Sequence, residues 1–173
     1  MSHKVYISIG SNLGDRAANV ADAVARLQAA GTVTAVSSLY ETSPVEFNDQ
    51  PWFVNAVVEL EVRLDPERLM SLLLGIERAM GRERTRPKGP RLIDLDILLY
   101  DDREFHSETV DVPHPAMHQR RFVLIPLAEL APDLRHPTFR LTPAEMLAEL
   151  PITDIVRPYA KIETPSTHPS RPS

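Results

Sequence analysis

Hydrophobic and polar positions alternate with the two-residue period of a β-strand in two segments of the chain. In residues 5–9, Val5, Ile7 and Ile9 share one face, and the glycine-containing stretch that follows ends the strand. In residues 53–62 one face is wholly hydrophobic, and it consists of Val54, Ala56, Val58, Leu60 and Val62. The pattern therefore predicts two strands, and the second directs one face to the core.

Two other segments space their hydrophobic residues as a helix does. Residues 16–30 follow Asp15, a side chain suited to capping a helix, and Gly31 stands where a C-terminal cap is expected. Residues 65–81 begin with an Asp-Pro pair and end on a glycine, as a second helix with its cap would. Both helices present a hydrophobic stripe.

Two more strands complete a recognisable order of elements. Residues 32–40 are rich in β-branched and hydrophobic side chains, and residues 94–100 form another hydrophobic run. The order strand, helix, strand, strand, helix, strand predicts an α+β fold with a ferredoxin-like βαββαβ core, in which two helices pack on a four-stranded antiparallel sheet. A small C-terminal hairpin near residues 101–112 and helices at 122–130 and 142–150 are expected to extend this core.

Composition limits the possible classes of protein. The chain has 173 residues, of which 43% are hydrophobic, so a single domain over residues 1–157 is expected. Residues 158–173 are rich in proline and serine and are predicted to be a disordered tail. No cysteine is present, which excludes disulfides and thiolate chemistry.

Charge and hydropathy exclude two kinds of partner. The net charge of −5 argues against binding to nucleic acid, which requires an excess of Lys and Arg. No segment approaches the apolar length of a membrane span, and the N-terminus does not resemble a signal peptide. We therefore expect a cytoplasmic protein, and we expect it to be a monomer.

The strand at residues 94–100 brings two carboxylates together. Side chains two apart on a strand share a face, so Asp94 and Asp96 project side by side while Leu95, Ile97 and Leu99 point into the core. Like charges at that distance favour a bound cation, and hard oxygen ligands suit Mg²⁺. An isolated Asp-x-Asp pattern is more often a pair of solvated carboxylates or of arginine partners, so this segment alone leaves both interpretations open.

A basic loop directly precedes the two aspartates. Its cationic residues are Arg82, Arg84, Arg86, Lys88 and Arg91. Guanidinium groups bind phosphate oxygens and stabilise charge during phosphoryl transfer, although most charged runs are simply solubilising surface. The chain has neither a P-loop motif nor a dinucleotide-binding fingerprint, which argues against a P-loop kinase or a Rossmann enzyme.

A histidine and two aromatic residues are further candidates for a site. His114 lies between two prolines that fix its backbone, and it either acts on a phosphate, as a donor or an acid, or has a structural role. Phe53 and Asn55 share the face opposite the core stripe, where a ring can stack on a heterocycle and an amide can bind its polar edge. Phe122 can supply a second ring. A second core on that face accounts for both rings equally well.

Several segments together resemble the 6-hydroxymethyl-7,8-dihydropterin pyrophosphokinase family of folate biosynthesis. The most specific is Gly-Pro-Arg-Leu-Ile-Asp-Leu-Asp-Ile-Leu at residues 89–98, and Ile-Ser-Ile-Gly-Ser-Asn-Leu at residues 7–13 is another. The remaining stretches follow in the family order, and they are residues 40–44, 53–56, 76–84 and 112–122.

The resemblance implies a Mg²⁺-dependent enzyme that transfers the pyrophosphoryl group of ATP to a pterin alcohol and releases AMP. Asp94 and Asp96 match ligands of two Mg²⁺ ions, and Arg82 and Arg91 match residues that contact the phosphates during transfer. The implied ATP-binding residues are Glu77, Arg82, Arg84, Arg91, Ile97, His114 and Arg120. The implied pterin-binding residues are Thr42, Ser43, Val45, Phe53, Asn55 and Phe122.

The resemblance also leaves rival functions to be tested. A two-metal nucleotidyltransferase or cyclase would attack the α-phosphorus and release pyrophosphate, and a regulatory module would only bind a ligand. Lys88 and Pro115 stand where the family often has aromatic residues, Ser43 stands where proline is common, and Phe53 replaces a tyrosine. These changes concern loop closure and ATP affinity rather than the metal ligands.

Overall fold

The computed structural model describes residues 1–44, 51–81 and 92–159. Up to residue 81 the elements are β1 (His3–Ser11), α1 (Arg16–Arg26), β2 (Gly31–Val36), β3 (Tyr40–Thr42), β4 (Phe53–Val62) and α2 (Pro66–Ala79). From residue 92 they are β5 (Asp94–Tyr100), β6 (Phe105–His106), β7 (Asp111–Val112), α3 (Arg121–Leu130), α4 (Pro143–Ala148) and β8 (Val156–Pro158).

Six of these strands form one antiparallel sheet. β1 lies between β5 and β4, β4 pairs with both β2 and β3, and β8 adds to β3. With β2 and β3 together taking the place of one strand, this is the strand order of a ferredoxin-like βαββαβ core. The predicted fold class is confirmed.

The main core lies between the sheet and the helices α1 and α2. The predicted stripe on β4 is buried there, with Leu60 fully inaccessible and Val62 1% exposed. The helices begin as expected, because the Asp15 and Asp65 side chains accept main-chain N–H groups of their first turns. Gly81, with φ of 91°, follows the end of α2 in the left-handed conformation that favours glycine.

Gly31 does not cap a helix, and this prediction was wrong. The α1 helix ends at Arg26, a single 3-10 turn over Leu27–Ala29 follows, and Gly31 is the first residue of β2. A Cβ atom at position 31 would lie 2.0 Å from the Glu61 carbonyl oxygen. Glycine is needed here because β2 approaches β4 too closely for a side chain.

The single strand predicted at residues 32–40 is two strands, β2 and β3. Between them, the Ser37 N–H donates to the Val57 carbonyl oxygen at 2.9 Å, and the Ser37 hydroxyl oxygen accepts the Val57 N–H at 2.9 Å. A side chain thus replaces a main-chain acceptor at this point, which interrupts the regular ladder.

A second, smaller core covers part of the opposite face of the sheet beneath α3. It consists of Tyr6, Val57, Leu98, Leu99, Met117, Val123 and Leu127. Leu99 was expected beside Leu95 and Ile97, but the register between β1 and β5 shifts between Tyr6 and Ile7. This irregularity puts Leu98 and Leu99 in the same core, and Tyr100 joins the main core instead.

The C-terminal hairpin and both later helices are present, and β8 is an addition that the sequence did not predict. Pro158 lies opposite Tyr40, and the Tyr159 N–H donates to the Leu39 carbonyl oxygen at 2.9 Å. Pro158 and Tyr159, which were predicted to belong to the tail, therefore have main-chain contacts with residues 39–40. The predicted disorder of the tail concerns residues 160–173, which lie outside the described residues. Within the described part, no helix is both long and apolar enough to cross a membrane.

Candidate functional site

The neighbouring strands β5, β1 and β4 bring Asp94, Asp96 and Asn55 to the sheet face opposite α1 and α2. Gly10 on β1 lies opposite Asp94 of β5 on one side and Asn55 of β4 on the other, and Ser8 lies opposite Asp96. Cross-strand partners share a face, and neighbouring strands are about 4.8 Å apart. The backbones that carry the carboxylates and the amide are therefore roughly 10 Å apart, a span suited to one substrate placed across β1.

The acidic edge of this face is formed by Asp94 and Asp96 at the start of β5. Both are partly exposed. Glu77 of α2, 3% exposed, accepts the Leu95 N–H at 2.7 Å, so a buried carboxylate holds the main chain between the two aspartates. Glu77 is thereby placed to fix the strand that carries them.

The acidic edge fits Mg²⁺ as a cation shared with a substrate. Among the described residues no group of three or more His, Cys, Asp or Glu side chains is arranged to hold a metal ion. Mg²⁺ is commonly bound through one or two carboxylates together with water and substrate phosphates. Two partly exposed carboxylates on an accessible strand edge meet that requirement.

His114 faces the acidic edge from the loop after β7. Its main-chain N–H donates to the Leu98 carbonyl oxygen at 2.9 Å, and its Nε2 lies 4.0 Å from a carboxylate oxygen of Asp96. Its Nδ1 accepts the Ala116 N–H at 3.1 Å, so the neutral ring carries its proton on Nε2. The imidazole therefore presents an N–H donor to the site.

The electrostatic environment keeps His114 neutral. Burial and the nearby Arg120 guanidinium lower the pKa of His114 to about 4, although Asp94 and Asp111 act in the opposite direction. An imidazole with that pKa holds no extra proton at neutral pH. Of the two chemical roles considered for His114, the structure favours hydrogen-bond donation over acid catalysis.

On β3 and β4, the site has a floor formed by Thr42, Phe53 and Asn55, and this floor holds two buried polar atoms that need a hydrogen-bond partner. Thr42 and Asn55 are each 3% exposed, and within the described part of the chain the Thr42 Oγ1 and the Asn55 Oδ1 have no hydrogen-bond partner. Thr42 lies opposite Phe53, and Asn55 lies two residues further along the same face. Buried unsatisfied polar atoms are rare, and two on one face indicate a site for a ligand with a polar edge.

Gly10 keeps this floor open, and the sequence analysis did not identify it. A Cβ atom at position 10 would lie 3.0 Å from Asn55 Nδ2 and 3.5 Å from Phe53 Cδ1. The signal was present in β1, where small residues at 8 and 10 alternate with large ones, but its meaning depends on the pairing of β1 with β4.

The start of α3 supplies an aromatic ring and a cation. Phe122 is partly buried against the second core, and the Arg120 guanidinium carbon lies 5.7 Å from the centre of its ring. Arg120 also lowers the pKa of His114, so its guanidinium group is close to the histidine at the acidic edge as well as to the Phe122 ring. Phe122 stands at the rim of the second core, which is compatible with both interpretations of this residue.

For the other predicted residues, the structure gives less direct evidence of a contact with a ligand. The Ile97 side chain is 1% exposed in the main core, so any contact with ATP would come from its main chain. The Ser43 hydroxyl oxygen already accepts the Ile155 N–H at 3.0 Å. The predicted residues that lie outside the described residues are Val45, Arg82, Arg84 and Arg91.

The chain matches the family described as 7,8-dihydro-6-hydroxymethylpterin-pyrophosphokinase (HPPK) over residues 6–132. Enzymes named 2-amino-4-hydroxy-6-hydroxymethyldihydropteridine pyrophosphokinase are similar to it. The Bacillus subtilis enzyme is 48% identical over 75% of this chain and 79% of its own length. The Pseudomonas aeruginosa enzyme is 44% identical over 91% of this chain and 98% of its own length. The chain belongs to the HPPK family, as the sequence predicted.

Relatives with longer chains and one solved structure complete the comparison. The chain spans 20% of the length of the Schizosaccharomyces pombe folic acid synthesis protein fol1, to which it is 43% identical. The crystal structure of wild-type Plasmodium falciparum HPPK-DHPS with pteroate matches with a TM-score of 0.70 at 15% identity, over 86% of this chain and 42% of the other. That likeness supports the fold alone.

Proposed function

We propose that this protein transfers the pyrophosphoryl group of ATP to 6-hydroxymethyl-7,8-dihydropterin, yielding the pterin diphosphate and AMP for folate biosynthesis. Family membership supports the reaction. The structural observation that carries it is the pair of buried, unsatisfied atoms on Thr42 and Asn55, on the same sheet face as Asp94 and Asp96. One strand, β1, separates Asn55 from the aspartates, and Thr42 lies one strand further away. A polar heterocycle and a charged polyphosphate thus have adjacent places on one sheet face.

The pterin ring would lie on the floor formed by Thr42, Phe53 and Asn55. A pterin carries donors and acceptors along one edge, and these would satisfy the Thr42 Oγ1 and the Asn55 Oδ1. Phe53 would stack on the flat ring from one side, and Phe122 at the start of α3 is the candidate for the other. Val45 belongs to this pocket by the family resemblance.

Asp94 and Asp96 would hold two Mg²⁺ ions together with the phosphates of ATP. When bound, Mg²⁺ neutralises phosphate charge and orients the oxygens to which it is coordinated. The two carboxylates have the charge and the exposure for this task, and Glu77 fixes the strand between them through the Leu95 N–H.

The transfer itself forms one bond and breaks one. The pterin hydroxymethyl oxygen attacks the β-phosphorus of ATP in line, the bond from that phosphorus to the bridging oxygen on the α-phosphate breaks, and AMP leaves. His114 would donate its Nε2–H to a phosphate oxygen. Arg120 would add a positive charge, and the family resemblance assigns further phosphate contacts to Arg82 and Arg91.

The proton of the pterin alcohol must leave during the attack. Since the pKa of His114 is lowered to about 4, a neutral imidazole is available, but its unprotonated Nδ1 is already occupied by the Ala116 N–H. A carboxylate oxygen of Asp94 or Asp96, or solvent, is therefore the acceptor consistent with this geometry. We further propose that the protein is a cytoplasmic monomer.

Product analysis tests the proposed function. The protein is incubated with ATP, Mg²⁺ and 6-hydroxymethyl-7,8-dihydropterin, and AMP, ADP and pyrophosphate are separated. We expect AMP that depends on both the pterin and Mg²⁺. Formation of pyrophosphate would favour a nucleotidyltransferase or cyclase, and an absence of any turnover would leave only a ligand-binding module.

A further inference from the structure

Residues 154–159, the last that the structure describes, connect the start of α3 to β3, on two sides of the proposed pterin pocket. We call this segment the C-terminal strap. It lies beyond residues 6–132, the part of the chain that matches the family. Its contacts tie the start of α3, which carries Phe122, to β3, which carries Thr42.

One end of the strap is held by an ion pair at the start of α3. The Arg121 Nη1 donates to the Asp154 carbonyl oxygen at 2.8 Å and to its carboxylate oxygen Oδ1 at 2.9 Å. The two side chains are 18% and 16% exposed, so the pair is largely shielded from solvent. Arg121 is flanked in sequence by Arg120 and Phe122, and the pair therefore restrains the backbone that places both.

The middle of the strap is hydrogen-bonded to the strand that carries the pocket floor. The Ser43 N–H donates to the Ile155 carbonyl oxygen, and the Ile155 N–H donates to the Ser43 hydroxyl oxygen, both at 3.0 Å. Val156 then lies opposite Thr42 in the sheet. A single residue, Ile155, thus separates the Asp154 anchor from the strand partner of Thr42.

The far end of the strap is fixed on the other side of Thr42. The Arg157 Nη2 donates to Glu41 Oε1 at 2.9 Å, and the Arg157 guanidinium carbon lies 4.4 Å from the centre of the Trp52 ring. Arg16 binds the other Glu41 oxygen at 2.9 Å, so the Glu41 carboxylate joins α1, β3 and the strap. These contacts fix the end of the strap at β3, and this in turn limits where Asp154 can lie.

We propose that Arg121 and Asp154 are positioning residues for the pterin, because their ion pair sets the distance between Phe122 and the floor at Thr42. This inference rests on the proposed function. A group that stacks on the face of a flat ring and a group that binds its edge must be held at a defined separation. The described contacts of the strap do not include Asp94, Asp96 or His114. Of the proposed ATP-binding residues that the structure describes, the ion pair restrains Arg120 alone, so loosening the strap affects the pterin more than ATP.

Direct binding measurements separate these two effects. The variants are Asp154→Asn, Arg121→Gln and their combination, and the pterin probe is 6-hydroxymethylpterin, measured by its fluorescence with Mg²⁺ and α,β-methylene-ATP present. We expect each single variant to weaken pterin binding about fivefold, and the double variant to be no weaker than the singles, because one interaction is lost in all three. Binding of α,β-methylene-ATP alone should change less than about twofold.

Matched variants control for charge and folding. Arg26→Gln removes an exposed pair with Asp22 on α1, at 3.0 Å, and should leave pterin binding unchanged. Arg121→Lys keeps a cation with one nitrogen, and Arg121 itself contacts both acceptors of Asp154 through one nitrogen, Nη1, so this variant should recover most of the affinity. It also provides a folded comparison if Arg121→Gln loses its thermal transition.

Three results would overturn the positioning role: unchanged pterin affinity in folded Asp154→Asn and Arg121→Gln, an equal loss for pterin and α,β-methylene-ATP, or no recovery in Arg121→Lys. Failure of the proposed function gives a different result, because the wild-type protein would then form no pterin-dependent AMP. A wild-type protein that turns over, with variants that bind the pterin normally, refutes only the role of the strap.

Discussion

Removing the unsatisfied hydroxyl of Thr42 should stabilise the ligand-free protein and weaken pterin binding. Thr42→Val replaces the hydroxyl with a methyl group of similar size. The residue is 3% exposed, and its Oγ1 is one of the two buried side-chain atoms without a hydrogen-bond partner among the described residues. The free protein therefore bears a desolvation cost that the variant avoids.

The magnitude follows from that cost. A buried polar group left unsatisfied costs about 1–3 kcal/mol, so we expect the free energy of unfolding to rise by about that amount. For a chain of this size, each kcal/mol corresponds to roughly 2–4 °C in Tm. Binding of the pterin removes this cost of about 1–3 kcal/mol from the wild type and adds a hydrogen bond worth about 0.5–1.5 kcal/mol. The variant gains neither, so it should bind the pterin at least about tenfold more weakly.

Urea and thermal unfolding of the ligand-free protein, followed by pterin titration, measure both effects. The control is Thr34→Val, because the exposed Thr34 hydroxyl already donates to Glu59 Oε1 at 2.7 Å, so its removal should bring no gain in stability. A Thr42→Val protein that is less stable than the wild type, or that binds the pterin equally well, would refute the assignment of Thr42 to the pocket floor.

Two further predictions concern the acidic edge. Asp96→Ala should abolish AMP formation and leave the Tm within a few degrees of the wild type, since it removes a partly exposed carboxylate and no core contact. The control is Asp102→Ala, on the exposed turn after β5. Near-normal turnover in Asp96→Ala would exclude the metal role. An NMR titration of the ligand-free protein should give His114 a pKa of about 4. Because the unfolded chain takes up this proton near the ordinary value of 6.5, His114 should lower stability as the pH falls from 6.5 to 4 and have no such effect above 6.5; a midpoint near 6.5 in the folded protein would contradict its burial.

Local periodicity sufficed for the parts of the fold that depend on one segment. The alternation in β4 identified its buried face, and the two-residue spacing of Asp94 and Asp96 placed both on one face of β5. These features follow from the geometry of a single strand, and they hold wherever the strand is regular.

The errors have their causes in contacts with other parts of the chain. Leu99 lies in the second core and not in the main one because the pairing of β5 with β1 is irregular. Gly31 allows β2 to approach Glu61 closely and does not end a helix. Ser37 divides a predicted strand by bonding Val57 with its side chain. None of these partners is visible within the segment itself.

The site was also only partly predictable. The sequence identified Asn55 and Thr42, the latter through the family resemblance, but the observation that both are buried without partners required the structure. The contribution of Asp154 could not be anticipated, because it depends on β8 pairing with β3 far away in the sequence.

The position of attack on ATP tests the central claim most directly. Parallel reactions use ATP labelled at the α-phosphorus and ATP labelled at the β-phosphorus, each with 6-hydroxymethyl-7,8-dihydropterin and Mg²⁺. Pyrophosphoryl transfer predicts that the α label appears only in AMP and the β label only in the pterin product. An α label on the pterin, with the β label released as pyrophosphate, would contradict it.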